Sequence, residues 1–124
     1  MLAVTGYRSR LVEELRPLLP EREEIVRIDD KAPVCERYLL CAGLCRPKVL
    51  AEQTSDEIGE SLHVNMIRPL ELCEEILEHV GAARICVIGS ESGFTWSHDD
   101  VYAASKAALH RYVETKKLKP NQQL

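Results

Sequence analysis

The chain has 124 residues, which is enough for one small domain with a single core. Hydrophobic residues make up 45% and charged residues 29%, as in an ordinary globular protein, and the net charge of −4 argues against a nucleic-acid-binding surface. The sequence predicts neither a membrane span nor a signal peptide, because its apolar stretches are short.

The first half of the chain alternates short apolar runs with one amphipathic stretch. MLAVTG predicts a buried strand at the N-terminus, and SRLVEELRPLL predicts a helix with Leu11, Leu15 and Leu18 on one face. Two further strands are predicted at 24–29 and 37–43, where acidic residues and a glycine end the apolar runs.

The second half is mainly helical. A helix capped near Thr54 or Ser55 is followed by a longer one that ends at Gly81, and Pro69 either kinks this region or marks a first turn. The run ARICVIGS (83–90) predicts a fourth strand, and DVYAASKAALHRYVETKK predicts the last helix.

Continuous apolar strands separated by helices indicate a parallel sheet between helices. We therefore predict an α/β, Rossmann-like, doubly wound fold of about four strands, with residues 1–124 forming one domain. Such sheets bind ligands beyond the carboxyl ends of their strands.

The cysteines and histidines show no metal-binding spacing, and we predict no metal site. We interpret the cysteines as buried free thiols of a protein in the reducing cytoplasm. They are Cys35, Cys41, Cys45, Cys73 and Cys86.

The last predicted helix carries Tyr102 and, four residues later, Lys106. This spacing puts both side chains on one face of a helix. The pair could be a proton donor beside an ammonium, or two solvated side chains. Ser90 just past a strand and Asn65 in the preceding helix favour the first interpretation, since all four could lie near one crevice.

Five motifs in order resemble the short-chain dehydrogenase/reductase family over nearly the whole chain. LAVTG resembles its first strand and glycine turn, and YLLCAGL stands where the family has an Asn-Asn-Ala-Gly strand end. SLHVNMIRP resembles the helix with the catalytic asparagine, ICVIGSESG the strand before the catalytic serine, and YAASKAAL the Tyr-x-x-x-Lys helix.

The resemblance implies four catalytic residues and hydride transfer with a nicotinamide cofactor. Tyr102 would exchange a proton with the substrate oxygen, and Lys106 would favour the phenolate and bond the nicotinamide ribose. Ser90, with Ser92 as the less favoured alternative, would bond the substrate oxygen. Asn65 would anchor a water that leads from the lysine toward solvent.

The resemblance also implies a cofactor site of NAD or NADP. Asp29, at the end of the second strand, favours NAD, because a carboxylate there accepts bonds from the adenosine ribose and repels a 2′-phosphate. Arg8 and Arg10 favour NADP, and the balance slightly favours NAD. The residues implied in binding are Gly6, Arg8, Ser9, Asp29, Ala42, Gly43, Tyr102 and Lys106.

Two features depart from the family. The turn TGYRSRLVEEL keeps Gly6 and lacks the two later glycines. The sequence ends with KKLKPNQQL, where the family would begin its sixth strand, so it has no counterpart of the family's sixth and seventh strands or of the substrate-covering lobe. We therefore expect weak cofactor binding and slow turnover by this chain alone.

Two functions stay open on these residues. The favoured one is an NAD(P)-dependent oxidoreductase that acts on a small alcohol or carbonyl compound, and the alternative is a non-catalytic nucleotide-binding or regulatory relative. A homodimer is also expected, through the helices at about 64–80 and 101–117. The apolar residues expected near that face are Leu70, Leu77, Ala107, Ala108 and Val113.

Overall fold

The computed structural model describes residues 1–124 and contains one parallel sheet. Its strands are β1 (Leu2–Thr5), β2 (Ile25–Arg27), β3 (Arg37–Leu40) and β4 (Arg84–Val87). The strand order is β2-β1-β3-β4, and every neighbouring pair is parallel. The chain thus moves outward from β1 to β2 and then returns to the other side of β1, which is the order of a doubly wound sheet. The predicted α/β, Rossmann-like fold is confirmed.

The helices are α1 (Arg10–Leu15), α2 (Ser55–Leu62), α3 (Arg68–His79) and α4 (Asp100–Thr115). A π-helical turn at His63–Ile67 joins α2 directly to α3. None of these helices has both the length and the apolar character that crossing a membrane requires.

The start of α2 follows the predicted cap. The Thr54 hydroxyl accepts the Glu57 N–H at 3.2 Å, and the Glu57 carboxylate accepts the Thr54 N–H at 2.9 Å. This reciprocal pair satisfies two backbone donors that a helix start leaves free.

Pro69 accounts for the π-helical turn before it. A proline nitrogen has no hydrogen, so it cannot bond the carbonyl of Asn65 four residues earlier. The backbone instead adds a residue to the turn, and the Arg68 N–H bonds the carbonyl of His63. The helix is not interrupted, and Asn65 lies within the widened turn.

The chain divides into two compact units. The first contains Met1–Ala42, Leu72–Ile88 and Leu118–Leu124, and the second contains Gly43–Glu71 and Gly89–Lys117. The whole sheet and α1 belong to the first unit, whereas α2 and α4 belong to the second. That residues 1–124 act as one domain stays a prediction.

The first unit packs α1 on the sheet through Val12. Val12 forms a buried cluster with Val4 and Leu39, and Leu15 packs against it. The predicted apolar face of this helix was wrong in part, because Leu11 is 45% exposed and Leu18 is 80% exposed. Regular α-helix ends at Leu15, and the 3₁₀ turn that follows shifts the phase at which Leu18 projects.

All five cysteines are free, but the prediction that they are buried holds only for Cys73. Cys86, in the outer strand β4, and Cys45, in the segment after β3, are both exposed. An apolar run of sequence therefore did not ensure burial at an edge or in a loop.

The C-terminal segment closes the first unit. Gln123 forms an isolated parallel bridge with Arg84, and its N–H and carbonyl bond Ala83 and Ile85. The Gln122 amide donates to the carbonyls of Leu77 at 2.6 Å and Val80 at 3.0 Å. The end of α3 is thus capped by a side chain more than forty residues away in sequence.

Candidate active site

Tyr102 and Lys106 lie in the first two turns of α4, as the sequence predicts. The Lys106 ammonium is 5.7 Å from the centroid of the Tyr102 ring, and Lys106 is only 4% exposed. Few lysines are this deeply buried, because the ammonium loses its hydration. The alternative interpretation from the sequence, that Tyr102 and Lys106 are two solvated side chains, is therefore excluded for Lys106.

A second Tyr-x-x-x-Lys pair, formed by Tyr112 of the same helix and Lys116 just after its end, shows why burial matters here. Lys116 lies over the Tyr112 ring at the same 5.7 Å. Lys116 is only partly buried, near the end of α4. Spacing and ring contact are thus equal in the two pairs, and it is the surroundings of Lys106 that differ.

Asn65 and Gly43 lie beside Lys106. A Cβ atom added to Gly43 would be 3.7 Å from Asn65 Oδ1 and 3.9 Å from Lys106 Nζ. Asn65 is fully buried, and its amide is occupied by one backbone unit: Oδ1 accepts the Leu44 N–H at 2.7 Å, and Nδ2 donates to the Leu44 carbonyl at 2.6 Å. The Asn65 side chain thus clamps the segment after β3, and the water that the family resemblance implies at Asn65 stays a prediction.

Ser90 is held by its backbone and by its hydroxyl. Its N–H donates to His110 Nε2 at 3.1 Å, and its Oγ accepts the Ser92 N–H at 3.2 Å. Ser92, the alternative catalytic serine, is thus a backbone donor in the turn that Ser90 caps. These bonds tie Ser90 to His110 and Ser92, and the role of Ser90 toward a substrate stays a prediction.

Asp99 was not singled out from the sequence, and it organises the start of α4. It is 1% exposed and accepts the N–H groups of Arg46 at 2.8 Å and Tyr102 at 3.0 Å, with the Gln53 amide at 3.0 Å. Burial alone would raise the pKa of this carboxyl, but these hydrogen bonds outweigh it and the pKa is lowered. An aspartate three residues before Tyr102, in an N-cap position, was the available sequence signal.

Asp99 also affects its neighbour Cys45. Although Cys45 is exposed as a residue, partial desolvation of its thiol and, to a smaller extent, the negative charge of Asp99 raise its pKa. These surroundings therefore favour the protonated thiol and give Cys45 none of the features that create a reactive thiolate.

The glycine turn of the first unit is closed tightly against the end of β3. Gly6 has φ 63°, and a Cβ atom there would be 3.1 Å from the Ala42 nitrogen. Ser9 caps α1 by accepting the Val12 N–H at 3.3 Å, so its hydroxyl oxygen is partly used. Arg8 is exposed. Gly6 thus meets the steric requirement of the turn, whereas Arg8 and Ser9 remain predicted ligands.

Asp29 lies beyond the end of its strand. The sequence placed it as the last residue of the second strand, but β2 ends at Arg27. The extended backbone continues to Ile28, whose N–H bonds the Val4 carbonyl. The Asp29 carboxylate pairs with Arg27 Nε at 2.5 Å and stays largely exposed. A ribose hydroxyl would therefore compete with Arg27 for this carboxylate.

The loop before α4 exposes two aromatic side chains. Trp96 is 83% exposed and contacts His98 edge-on at 6.1 Å, and Phe94 is 74% exposed and stacks on His110. No group of three or more His, Cys, Asp or Glu side chains is arranged to hold a metal ion.

The short chain dehydrogenase family model matches residues 38–122, which is more than half of the chain. The chain belongs to this family. The match contains Asn65, Ser90, Tyr102 and Lys106, and it begins after Gly6 and Asp29. No curated protein sequence matches the chain.

Solved structures of dehydrogenases share the fold. A short-chain dehydrogenase/reductase from Burkholderia vietnamiensis is 18% identical with a TM-score of 0.74, over 98% of this chain and 79% of its own. A 4-hydroxyisoleucine dehydrogenase complexed with NADH and succinate is 15% identical with a TM-score of 0.75, over 92% and 70%. A short chain dehydrogenase from Leptospira borgpetersenii with bound NAD+ is 17% identical with a TM-score of 0.72, over 91% and 62%.

The solved structures show the fold, and the family model shows the family. The chain spans between 62% and 79% of the length of these three proteins. At sequence identities this low, the substrates and ligands of those proteins cannot be assigned to this chain.

Proposed function

We propose that the chain is an NAD(P)-dependent oxidoreductase that interconverts a small alcohol and its carbonyl compound. The observation that carries this proposal is the burial of the Lys106 ammonium beside Asn65 and Gly43, one helical turn from Tyr102. Family membership supports the reaction class. The nicotinamide, when bound, supplies or accepts the hydride.

Tyr102 is the proposed acid–base group. Its phenol would give a proton to the carbonyl oxygen during reduction and take it back during oxidation. Lys106 supports this role because a nearby positive charge favours the phenolate. Its three N–H donors also suit a ribose hydroxyl. Ser90 is proposed to donate its O–H to the substrate oxygen.

Asn65 is proposed to act through position. Both ends of its amide hold Leu44, so it fixes the backbone next to Gly43, where an added Cβ atom would be 3.9 Å from the Lys106 ammonium. A rigid surround of this kind keeps reacting groups aligned, and a misplacement of about 1 Å can cost about 10²-fold in rate.

The proposed cofactor is NAD or NADP, with NAD slightly favoured. The exposed carboxylate of Asp29 supports NAD through its acceptor oxygens. Gly6 and Ala42 are proposed to form the closed turn against which the cofactor packs, with Arg8 and Ser9 as further donors.

A test of binding separates this proposal from the non-catalytic alternative. Trp96 is the single tryptophan and is exposed, so its fluorescence can report NADH and NADPH titrations. We expect saturable binding that Lys106→Met weakens about tenfold or more, because the loss of one charged hydrogen bond has that effect. The control is Lys117→Met, which replaces an exposed lysine shortly after the end of α4 and should leave the affinity unchanged.

Absence of binding in the native chain would contradict the proposed function. Binding without any turnover, unaffected by Lys106→Met, would favour the regulatory alternative, which the missing turn glycines support.

The proposed assembly is a homodimer through α3 and α4. Ala107 is exposed, and Leu70, Ala108 and Val113 are partly exposed, so these side chains are available. Leu77 is 5% exposed and belongs to the core, so it drops out of the predicted face. Sedimentation at micromolar concentration should give a dimer, and a monomer would refute the assembly.

Five free thiols support the proposed cytoplasmic location, which a fluorescent fusion would test.

A further inference from the structure

His110 lies one helical turn after Lys106 and is tied to Ser90. Its Nε2 accepts the Ser90 N–H at 3.1 Å. The Phe94 ring stacks on the imidazole, with 4.3 Å between centroids and 18° between planes. The ring is thus fixed by one hydrogen bond and by one stacking contact.

Two glycines leave the space that the imidazole fills. A Cβ atom on Gly93 would be 2.6 Å from His110 Cε1 and 3.0 Å from the Ala107 nitrogen. A Cβ atom on Gly89 would overlap Nε2 itself. Neither position could carry a larger residue with the ring in place, so the turn after β4 is built closely around His110.

The hydrogen bond specifies the tautomer. A backbone N–H can only donate, so Nε2 must present its lone pair and the proton of the neutral ring must be on Nδ1. Nδ1 is buried and has no hydrogen-bond partner. The bond to Ser90 is therefore the polar interaction that holds the ring in this orientation.

The same turn fixes the Ser90 hydroxyl. Its oxygen accepts the Ser92 N–H, so its proton stays available for another acceptor. Ser90 and Ser92 lie in one short turn whose first N–H is held by His110. A substitution at His110 would thus shift the position of the Ser90 hydroxyl, although the Ser90 side chain itself is unchanged.

We propose that His110 is a positioning residue. Its Nε2 accepts the Ser90 N–H, and this bond holds the Ser90 turn so that the Ser90 hydroxyl keeps one orientation. The role toward catalysis rests on the proposed function, because it needs Ser90 to bond the substrate oxygen. The placement of the turn by His110 does not rest on the proposed function, so the placement and the role in catalysis can be refuted independently.

Nuclear magnetic resonance of the ¹⁵N-labelled full chain tests the placement. Long-range ¹H–¹⁵N spectra should show the His110 proton on Nδ1 and a scalar coupling between Nε2 and the Ser90 amide. A proton on Nε2 in the neutral ring would overturn the proposal. This measurement needs neither a variant nor any activity.

Two substitutions at His110 separate the acceptor from the ring. His110→Gln keeps an acceptor at about the distance of Nε2 and should keep the Ser90 amide protected from exchange with water. His110→Phe keeps a stacking ring without an acceptor and should speed that exchange by about three- to tenfold, since one hydrogen bond is lost. Gly89→Ala, which displaces Nε2, should behave like His110→Phe.

Kinetics tests the consequence for Ser90. With any carbonyl substrate that is turned over, His110→Phe should lower kcat about tenfold or more, and His110→Gln should restore most of it. Equal loss in both variants, with helix amides of α4 unchanged, would overturn the positioning role. If the native chain binds no nicotinamide cofactor while the Nδ1–H tautomer is found, the proposed function fails and the placement of the turn stands.

Discussion

Replacement of Asp99 by asparagine perturbs the network that supports Tyr102. The carboxylate accepts three hydrogen bonds: Oδ1 takes the Tyr102 N–H and the Gln53 amide, and Oδ2 takes the Arg46 N–H. An asparagine has one acceptor oxygen, so its NH₂ group must face at least one of these donors. One charged bond is lost, at about 1.5–3 kcal/mol, and the others become neutral and weaker. We expect Asp99→Asn to lower the free energy of unfolding by roughly 3 kcal/mol.

Urea unfolding followed by far-ultraviolet circular dichroism measures this loss, and Asp100→Asn is the matched control. Asp100 is exposed in the first turn of α4, so its replacement should lower the free energy of unfolding by about 0.3–1 kcal/mol at most. A loss below about 1 kcal/mol for Asp99→Asn would refute the reasoning, because it would mean that the network contributes little.

The stabilisation by Asp99 also has a predicted pH dependence. The folded pKa of this carboxyl is lowered, so its contribution is present above the unfolded value of about 3.9 and is lost as the pH falls below it. The difference between native protein and Asp99→Asn should therefore shrink as the pH falls from 5 toward the lowered folded pKa. A difference that stays constant through this range would show that the carboxylate charge is not what stabilises the start of α4.

Three further changes probe other parts of the molecule. Asp29→Ala should raise the affinity for NADPH relative to NADH, and an unchanged ratio would place the adenosine ribose elsewhere. Gln122→Ala should destabilise the protein by about 1–3 kcal/mol in thermal unfolding, because two carbonyls at the end of α3 lose their donor. Gln123→Ala, whose bonds come from its backbone, should be nearly neutral. Gly6→Ala should destabilise by at least about 1 kcal/mol in the same assay, since φ is 63° and Ala42 leaves no space.

The sequence predicted the elements because their local signals agree with the fold. Apolar runs predicted all four strands, and a cap near Thr54 or Ser55 predicted the start of α2. The predicted apolar face of α1 was wrong in part, because a helix of six residues followed by a 3₁₀ turn is too short to show a sustained helical periodicity of apolar residues.

The candidate site was predictable only in part, because its remaining contacts join residues far apart in sequence. The clamp of Leu44 by Asn65 spans 21 residues, and the bond between Arg46 and Asp99 spans 53. His110 carries no local signal at all, since its partners are a backbone N–H and the space left by two glycines. Burial also separates Lys106 from Lys116, although each follows a tyrosine by four residues.

The most direct test of the central claim compares the two Tyr-x-x-x-Lys pairs of α4. NADH and NADPH oxidation with small aldehydes, ketones and quinones would be measured for the native chain, Tyr102→Phe and Tyr112→Phe. Any turnover should fall by about 10²- to 10⁴-fold in Tyr102→Phe, because only the exchangeable proton is removed. It should be unchanged in Tyr112→Phe, although Lys116 lies over that ring at the same 5.7 Å. Full turnover by Tyr102→Phe would contradict the account.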